Sequence, residues 1–319
     1  MFGRNLEDFI KVTEEPRSFD EDFFDFTDRI YPWTTVYRFF FLADFERGTQ
    51  FMLGAGQKNL RRYHVNGEPI EFTNNEPDYR MGVSYWLENG SLLHRTVNDD
   101  VNVENGLRGD SFSFIRENGG YTLEVPDVDI KAVLDDKSSK TDYIRFNAGI
   151  SPFYRHNKYL PFKGRVMGRR VEKGVAFIQK VYLNMPFMPW RWGRVFFESG
   201  ARFDFYEPRF VRPLYRSINF EHNGKRLEFK QSQQISFDDS LWNIAGRAAT
   251  GEKLSISIRP YQSVRQTFET PRTIFDYTEM PSRLESFEIT KNGETLFSQE
   301  SLGESVANCE EAFYSKLLI

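Results

Sequence analysis

Along most of the chain, apolar and polar residues alternate every second position between short turn signals. Ser111-Phe112-Ser113-Phe114, Arg202-Phe203-Asp204-Phe205 and Leu254-Ser255-Ile256-Ser257-Ile258 each keep a period of two. Successive side chains of a strand point to opposite faces of its sheet, so this period predicts half-buried strands. Asn-Gly recurs at 66–67, 89–90, 105–106, 118–119, 223–224 and 292–293, with weaker signals at Arg47-Gly48, Ser199-Gly200 and Thr250-Gly251. Both residues of Asn-Gly tolerate positive φ, which a two-residue type I′ hairpin demands. Such frequent turns predict antiparallel sheet, and the helices that a parallel βαβ architecture needs are missing from the pattern. Two segments depart from the period of two. Phe19, Phe23 and Phe26 have helical spacing, predicting short N-terminal helices across the end of a barrel. Val306, Cys309, Phe313 and Leu317 recur three or four apart, predicting a C-terminal helix.

At 319 residues the chain is long for one small barrel and predicts two consecutive β units. The segment from Ala148 to Phe162 is the candidate seam: it holds Gly149, Pro152, Pro161 and the polar run Arg155-His156-Asn157-Lys158. The expected domains are therefore 1–160, with a helical N-terminal extension, and 161–319, the boundary falling within 148–212. A second seam after Glu207-Pro208 would give the first unit an extra hairpin. Thirty-two Phe, fifteen Tyr and five Trp supply enough buried area to fill two interiors, despite a hydrophobic share of 39%. They also favour strands.

A net charge of −4 argues against a dedicated nucleic-acid binder. The basic cluster from Lys163 to Lys173 reads as a solvated strand pair. One cysteine, Cys309, excludes an internal disulfide and suits a reducing compartment. Met1 to Phe9 carries Glu7 and Asp8 without an apolar run, and no stretch approaches the roughly 20 apolar residues of a membrane helix. The expected location is cytoplasmic, with no integral membrane segment; the oligomeric state is not legible.

The chain contains no Gly-rich phosphate loop, no paired-Cys motif and no G-x-S-x-G elbow. Histidines 64, 94, 156 and 222 stand singly, and Asp20, Glu21, Asp22, Asp25 and Asp28 read as an exposed helix face rather than a metal cluster. No metal or other cofactor is expected. Trp190-Arg191-Trp192-Gly193-Arg194 is the densest chemical segment. In a strand its two tryptophans share a face with Arg194, Phe196 and Glu198, while Arg191 points the other way. That face is either a barrel floor or a ligand wall on which Arg194 or Glu198 meets a polar group. In Trp33 to Asp44, Trp33, Tyr37 and Phe39 share one face and Arg38 lies on the other, where a buried guanidinium needs a carboxylate partner.

These segments resemble a known group. Gly164-Arg165-Val166, then Val171-Glu172-Lys173-Gly174-Val175-Ala176-Phe177, then Pro186-Phe187-Met188-Pro189-Trp190-Arg191-Trp192-Gly193 and Phe197-Glu198-Ser199-Gly200 follow one another as in the tandem lipocalin-like superfamily. That superfamily includes carotenoid 1,2-hydratases, hydroxyneurosporene synthases and AttH-like proteins. Trp33 to Gly48 resembles its opening strand. The resemblance implies two lipocalin-like barrels and a hydrophobic ligand, terpenoid- or polyketide-like, in a barrel interior or the cleft between barrels. It also implies hydration, cyclisation or isomerisation, which call for a carboxylic acid held neutral by apolar surroundings. The chain departs from the pattern at Gln179-Lys180, where an Asp-His pair is expected. Glu198 and Asp204 are the candidate acids in its place. Trp33, Tyr37, Arg38, Gln179, Tyr182, Trp190, Trp192 and Arg194 are the candidate ligand contacts. Three functions compete: a non-catalytic binder of an apolar metabolite, an enzyme of the hydratase, cyclase or isomerase kind, and a carbohydrate-active β-sandwich with two carboxylates in an open groove.

Overall fold

The computed structural model describes residues 10–11, 17–28, 34–58, 62–75, 77–117, 119–148, 151–184, 189–209, 216–270 and 273–317. Strands make up 73% of the structure, and the described α-helices are Phe19–Phe23 and Gln299–Leu302. The all-β expectation holds. None of the described helices is long and apolar enough to cross a membrane. The chain forms two compact units: residues 1–44 with 49–187, and residues 45–48 with 188–319. Residue 160 therefore falls inside a strand of the first unit, Ser151–Val166.

In the first unit ten strands close into a barrel. Around the ring they are Ser151–Val166, Ile130–Asp135, Gly120–Val125, Ser113–Glu117, Leu107–Arg108, Leu92–Asn102, Asp78–Glu88, Gln50–Lys58, Thr34–Asp44 and Arg169–Asn184, which pairs back to Ser151–Val166. The long Ser151–Val166 strand pairs with Lys140–Ala148 along its first half and with Ile130–Asp135 near its end. Asn66-Gly67, Asn223-Gly224 and Asn292-Gly293 have both residues at positive φ, as type I′ hairpins require. At 89–90 and 105–106 only the glycine does, and Asn118 lies outside the described residues. Met167-Gly168 makes a further turn with both φ positive, although no turn dipeptide marks it.

The ladder register stacks the interior in rows. Leu160, Ala176 and Leu42 are neighbours on three adjacent strands, followed by Lys158, Ile178 and Phe40, then His156, Lys180 and Arg38. Three cationic or basic side chains thus stand abreast inside the barrel, each at most 1% exposed. The N-terminal segment compensates them. Ser18 caps the Phe19–Phe23 helix in a capping box with Glu21, and Phe19, Phe23 and Phe26 enter the barrel core. Phe23 meets Phe40 and Phe114 edge-on at 5.6 and 5.5 Å. This delivers acids and carbonyls to the basic row. Lys180 Nζ lies 3.2 Å from Asp22 Oδ1 and 2.6 Å from Asp28 Oδ2. His156 Nδ1 lies 3.0 Å from Asp22 Oδ2. Arg38 donates to the carbonyls of Phe23 at 2.8 Å and Asp25 at 2.7 Å, with its guanidinium 3.6 Å from the centroid of the Phe26 ring. Burial lowers the Arg38 pKa to about 10 and pulls that of Lys180 down as well.

In the second unit the sheet runs Lys225–Glu228, Ser217–His222, Arg202–Pro208, Trp190–Phe197, Ser305–Leu317, Thr273–Lys291, Lys253–Pro260, Leu241–Arg247 and Gln231–Asp238. It curls around a separate core that includes Phe203, Phe205, Phe220, Trp242, Ile256 and Phe287. Side chains join its two ends: Gln233 Nε2 donates to the carbonyls of Arg216 and Phe229, at 3.1 and 2.7 Å. The expected C-terminal helix is not found. Only Gln299–Leu302 is helical, and Ser305–Leu317 is a central strand paired on both sides. Residues 306–310 are all buried, because both faces of this strand are covered. The alternation that marks a half-exposed strand is therefore lost, and the chance spacing of apolar residues mimics a helix.

Burial works to raise the pKa of Asp22, but the hydrogen bond from His156 and the charge of Lys180 bring it below its ordinary 3.8. A carboxyl with a depressed folded pKa contributes stability above its unfolded value, and loses it as the pH falls through the folded value. Asp22→Ala should cost about 3–5 kcal/mol at pH 7, because it strips one partner from buried Lys180 and His156. Urea denaturation of the variant should also show a weaker loss of stability below pH 4 than the parent.

Candidate functional site

Three strands of the second unit assemble the chemistry. Register sets Trp192 beside Glu310 and Glu310 beside Glu279, and likewise aligns Trp190, Ala312 and Tyr277. Arg194, Asn308 and Pro281 form the next row. Val195, Phe197, Ala307, Cys309 and Met280 point into the core of the unit, so the alternate residues occupy the opposite face. Gly193 makes room on the core side: a Cβ on it would lie 2.3 Å from the Phe205 ring.

Glu279 is fully buried, Glu310 is 3% exposed and Arg194 4%. The hydroxyl of Tyr277 reaches both carboxyl groups: it contacts Glu279 Oε1 and lies 2.6 Å from Glu310 Oε2. Trp190 Nε1 donates to Glu310 Oε1 at 2.7 Å. A phenol has one proton, so it donates to one carboxylate and accepts from the other only if that other group is protonated. Glu310 accepts from both Trp190 and Tyr277, which suits the carboxylate. Glu279 is then the acid. Burial, followed by the negative charge of Glu310, raises the Glu279 pKa well above its ordinary value, against the opposing pull of Arg194. Arg194 donates to Asn308 Oδ1 at 3.2 Å and lies 4.4 Å from the centroid of the Trp192 ring. Trp190 packs 5.7 Å from Phe275 and 5.8 Å from Tyr277, extending the aromatic wall. Among the described residues, Glu279 Oε2 and Asn308 Nδ2 are buried and have no hydrogen-bond partner.

The residues singled out in the sequence are distributed over several places. Trp190, Trp192 and Arg194 belong to this cluster, with Trp190 half-buried. Asp204 lies across the ladder from Arg194 and accepts from Asn219 Nδ2 at 3.2 Å. Glu198 does not join them. The strand ends at Phe197, and Glu198 sits exposed in the following turn, so strand parity no longer aims it at the indoles. Arg38 lies in the interior of the first barrel, where Tyr182 stacks on Tyr154 at 5.3 Å. Tyr37 and Gln179 face the other way: Tyr37 stacks on Phe39 at 5.5 Å, and Gln179 donates to Asn157 Oδ1 at 2.7 Å. Trp33 and the stretch 186–188 lie outside the described residues. Glu279, Glu310, Tyr277 and Asn308 were missed. Reading the C-terminal segment as a helix hid the alternation of Asn308 and Glu310 with Ala307 and Cys309. Gln179 and Lys180 stand where an Asp-His pair was sought; Asp22 and His156, from distant segments, are 3.0 Å apart in the first barrel. Among the described residues, no group of three or more His, Cys, Asp or Glu is placed to hold a metal ion.

No protein-family profile and no curated protein sequence matches the chain. Solved structures do share its architecture. A Nitrosomonas europaea protein provisionally identified as AttH superposes with a TM-score of 0.51 at 13% identity, covering 96% of this chain and 99% of its own. Kievitone hydratase from Nectria haematococca gives a TM-score of 0.47 at 7% identity, covering 88% and 89%. The AttH-like structure thus carries the fold that the sequence resemblance implied.

The pair of glutamates sets distinct stability signatures. Glu279→Gln should change stability by less than about 1 kcal/mol below pH 4, where the acid is neutral in both states. It should be more stable than the parent at pH 7, where folding the parent must protonate a carboxyl that is ionised in the unfolded chain. Glu310→Gln leaves one of two buried donors without an acceptor and should cost about 1–3 kcal/mol. A carboxyl with a raised folded pKa contributes stability below its unfolded value of 4.5 and loses it as the pH rises through the folded value. Denaturation series from pH 4 upward should show this loss in the parent and not in Glu279→Gln.

Proposed function

We propose that the chain binds an apolar small molecule and transfers a proton to it, with Glu279 as the acid. The observation that carries this reading is a fully buried carboxyl, its pKa pushed up by burial and by the neighbouring Glu310, beside the wall of Trp190, Trp192, Phe275 and Tyr277. Protonating an alkene or enol breaks the Glu279 O–H bond, forms a C–H bond and leaves positive charge on the substrate. Indole faces and the Glu310 carboxylate, one hydroxyl away, stabilise that charge. Water addition, ring closure or loss of a neighbouring proton then discharges the cation, and the released proton returns to the glutamate pair. These outcomes are hydration, cyclisation and isomerisation. Half-buried Trp190 is the outermost member of the cluster and the natural first contact for a ligand.

A binder without turnover could use the same aromatic wall but needs no protonated acid beside it. Glycoside cleavage needs two carboxyl groups about 5–10 Å apart with a sugar bond between them. Here one hydroxyl bridges the two carboxyl groups, so the geometry does not support that alternative.

Native mass spectrometry of the purified protein should reveal a bound terpenoid-, lipid- or polyketide-like molecule. With that compound or its precursor as substrate, Glu279→Gln should keep binding and lose at least about 100-fold in turnover. Glu198→Gln should react like the parent. Unchanged turnover in Glu279→Gln, or a sugar as the bound molecule, would overturn the reading.

A further inference from the structure

We propose that the Met167-Gly168 end of the first barrel docks on an anionic lipid surface. The ladder places Lys131, Arg165 and Arg170 directly abreast on three adjacent strands, all exposed. Like charges in directly opposed positions destabilise a sheet, so a row of three is a local cost that the hairpin carries. Lys163 and Arg169 add two exposed basic residues around the row. Three acids offset part of this charge: Glu124 pairs with Lys131 at 2.6 Å, Asp129 with Arg165 at 2.7 Å, and Glu172 with Arg170. Five basic residues against three acids leave an excess of two positive charges, on a chain whose net charge is −4.

Apolar exposure within the patch selects lipid over other polyanions. Val133 is 54% exposed and opposes Lys163 in the ladder, and Met167 at the hairpin tip is 43% exposed. Met167 also holds a φ of 51°, a left-handed conformation uncommon for a long side chain. A turn of this kind ordinarily takes Asn or Gly; here it takes Met, whose sulfur accepts from Asn89 Nδ2 at 2.6 Å while the residue stays partly exposed. A nucleic acid or soluble polyanion has no use for it, whereas a bilayer offers acyl chains just beneath its charged headgroups.

The test is cosedimentation of the full chain with mixed phosphatidylcholine–phosphatidylserine vesicles and with pure phosphatidylcholine vesicles, at low and high salt. The protein should bind only the mixed vesicles, and salt should release it. Each basic residue near an anionic surface contributes about fivefold in binding, so Lys163→Gln with Arg169→Gln should weaken it by about 25-fold. Among the described residues neither side chain has an acidic partner, and unchanged thermal melting would confirm that the variant folds. Met167→Ser should weaken vesicle binding by several-fold while leaving retention on a heparin column unchanged. Absence of binding to mixed vesicles, or binding unaffected by the double substitution, would overturn the proposal. So would vesicle binding insensitive to Met167→Ser together with equally tight binding to a single-stranded oligonucleotide, which would mark a general polyanion site.

Discussion

An antiparallel ladder does not let a buried charge stand alone: register places it directly beside whatever its neighbours present. In the first barrel that rule sets Arg38, Lys180 and His156 abreast in an apolar interior. Three basic groups so placed are tolerable only if acceptors reach them, because desolvation is otherwise far more costly than any packing gain. The acceptors come from the N-terminal segment, whose Asp22, Asp28 and carbonyls of Phe23 and Asp25 are carried inward by Phe19, Phe23 and Phe26. Apolar burial and charge compensation therefore secure the same short helix. Neither would hold it alone, since a five-residue helix is unstable in isolation.

The second unit meets the mirror image of this problem, with Glu279 and Glu310 as ladder neighbours. Opposing cationic charge comes from Arg194, whose hydrogen bond goes to Asn308, and the pair is relieved chiefly by keeping a proton. The two solutions differ in what they permit. In the first barrel the acids and bases satisfy one another, which suits an anchor. In the second unit two carboxyl groups share one hydroxyl, and among the described residues Glu279 Oε2 and Asn308 Nδ2 have no hydrogen-bond partner.

Much of the architecture was legible in the sequence because strands and tight turns are local. Period-two runs such as Leu254 to Ile258 and the dipeptides at 66–67, 223–224 and 292–293 need no knowledge of partners. Phe19, Phe23 and Phe26 likewise declared a helix before its docking site was known. The site was only half legible. Trp190, Trp192 and Arg194 stood out by composition, but the acid beside them lies across two strand pairings, about 90 residues on in the chain for Glu279, and register is not a local property. Glu198 was close in sequence and on the right parity, yet the strand stops one residue before it. Ser305–Leu317 shows the complementary failure, since a strand buried on both faces loses the alternation that identifies it.

The central claim is that a buried carboxylic acid, Glu279, stays protonated at neutral pH. Infrared spectroscopy measures this directly, since a protonated carboxyl has a C=O stretch at higher frequency than the amide and carboxylate bands. The parent protein at pH 7 should show such a band, shifted on exchange into heavy water, lost in Glu279→Gln and retained in Glu198→Gln. A spectrum without a protonated-carboxyl band at pH 7, or with one that survives Glu279→Gln, would contradict the account.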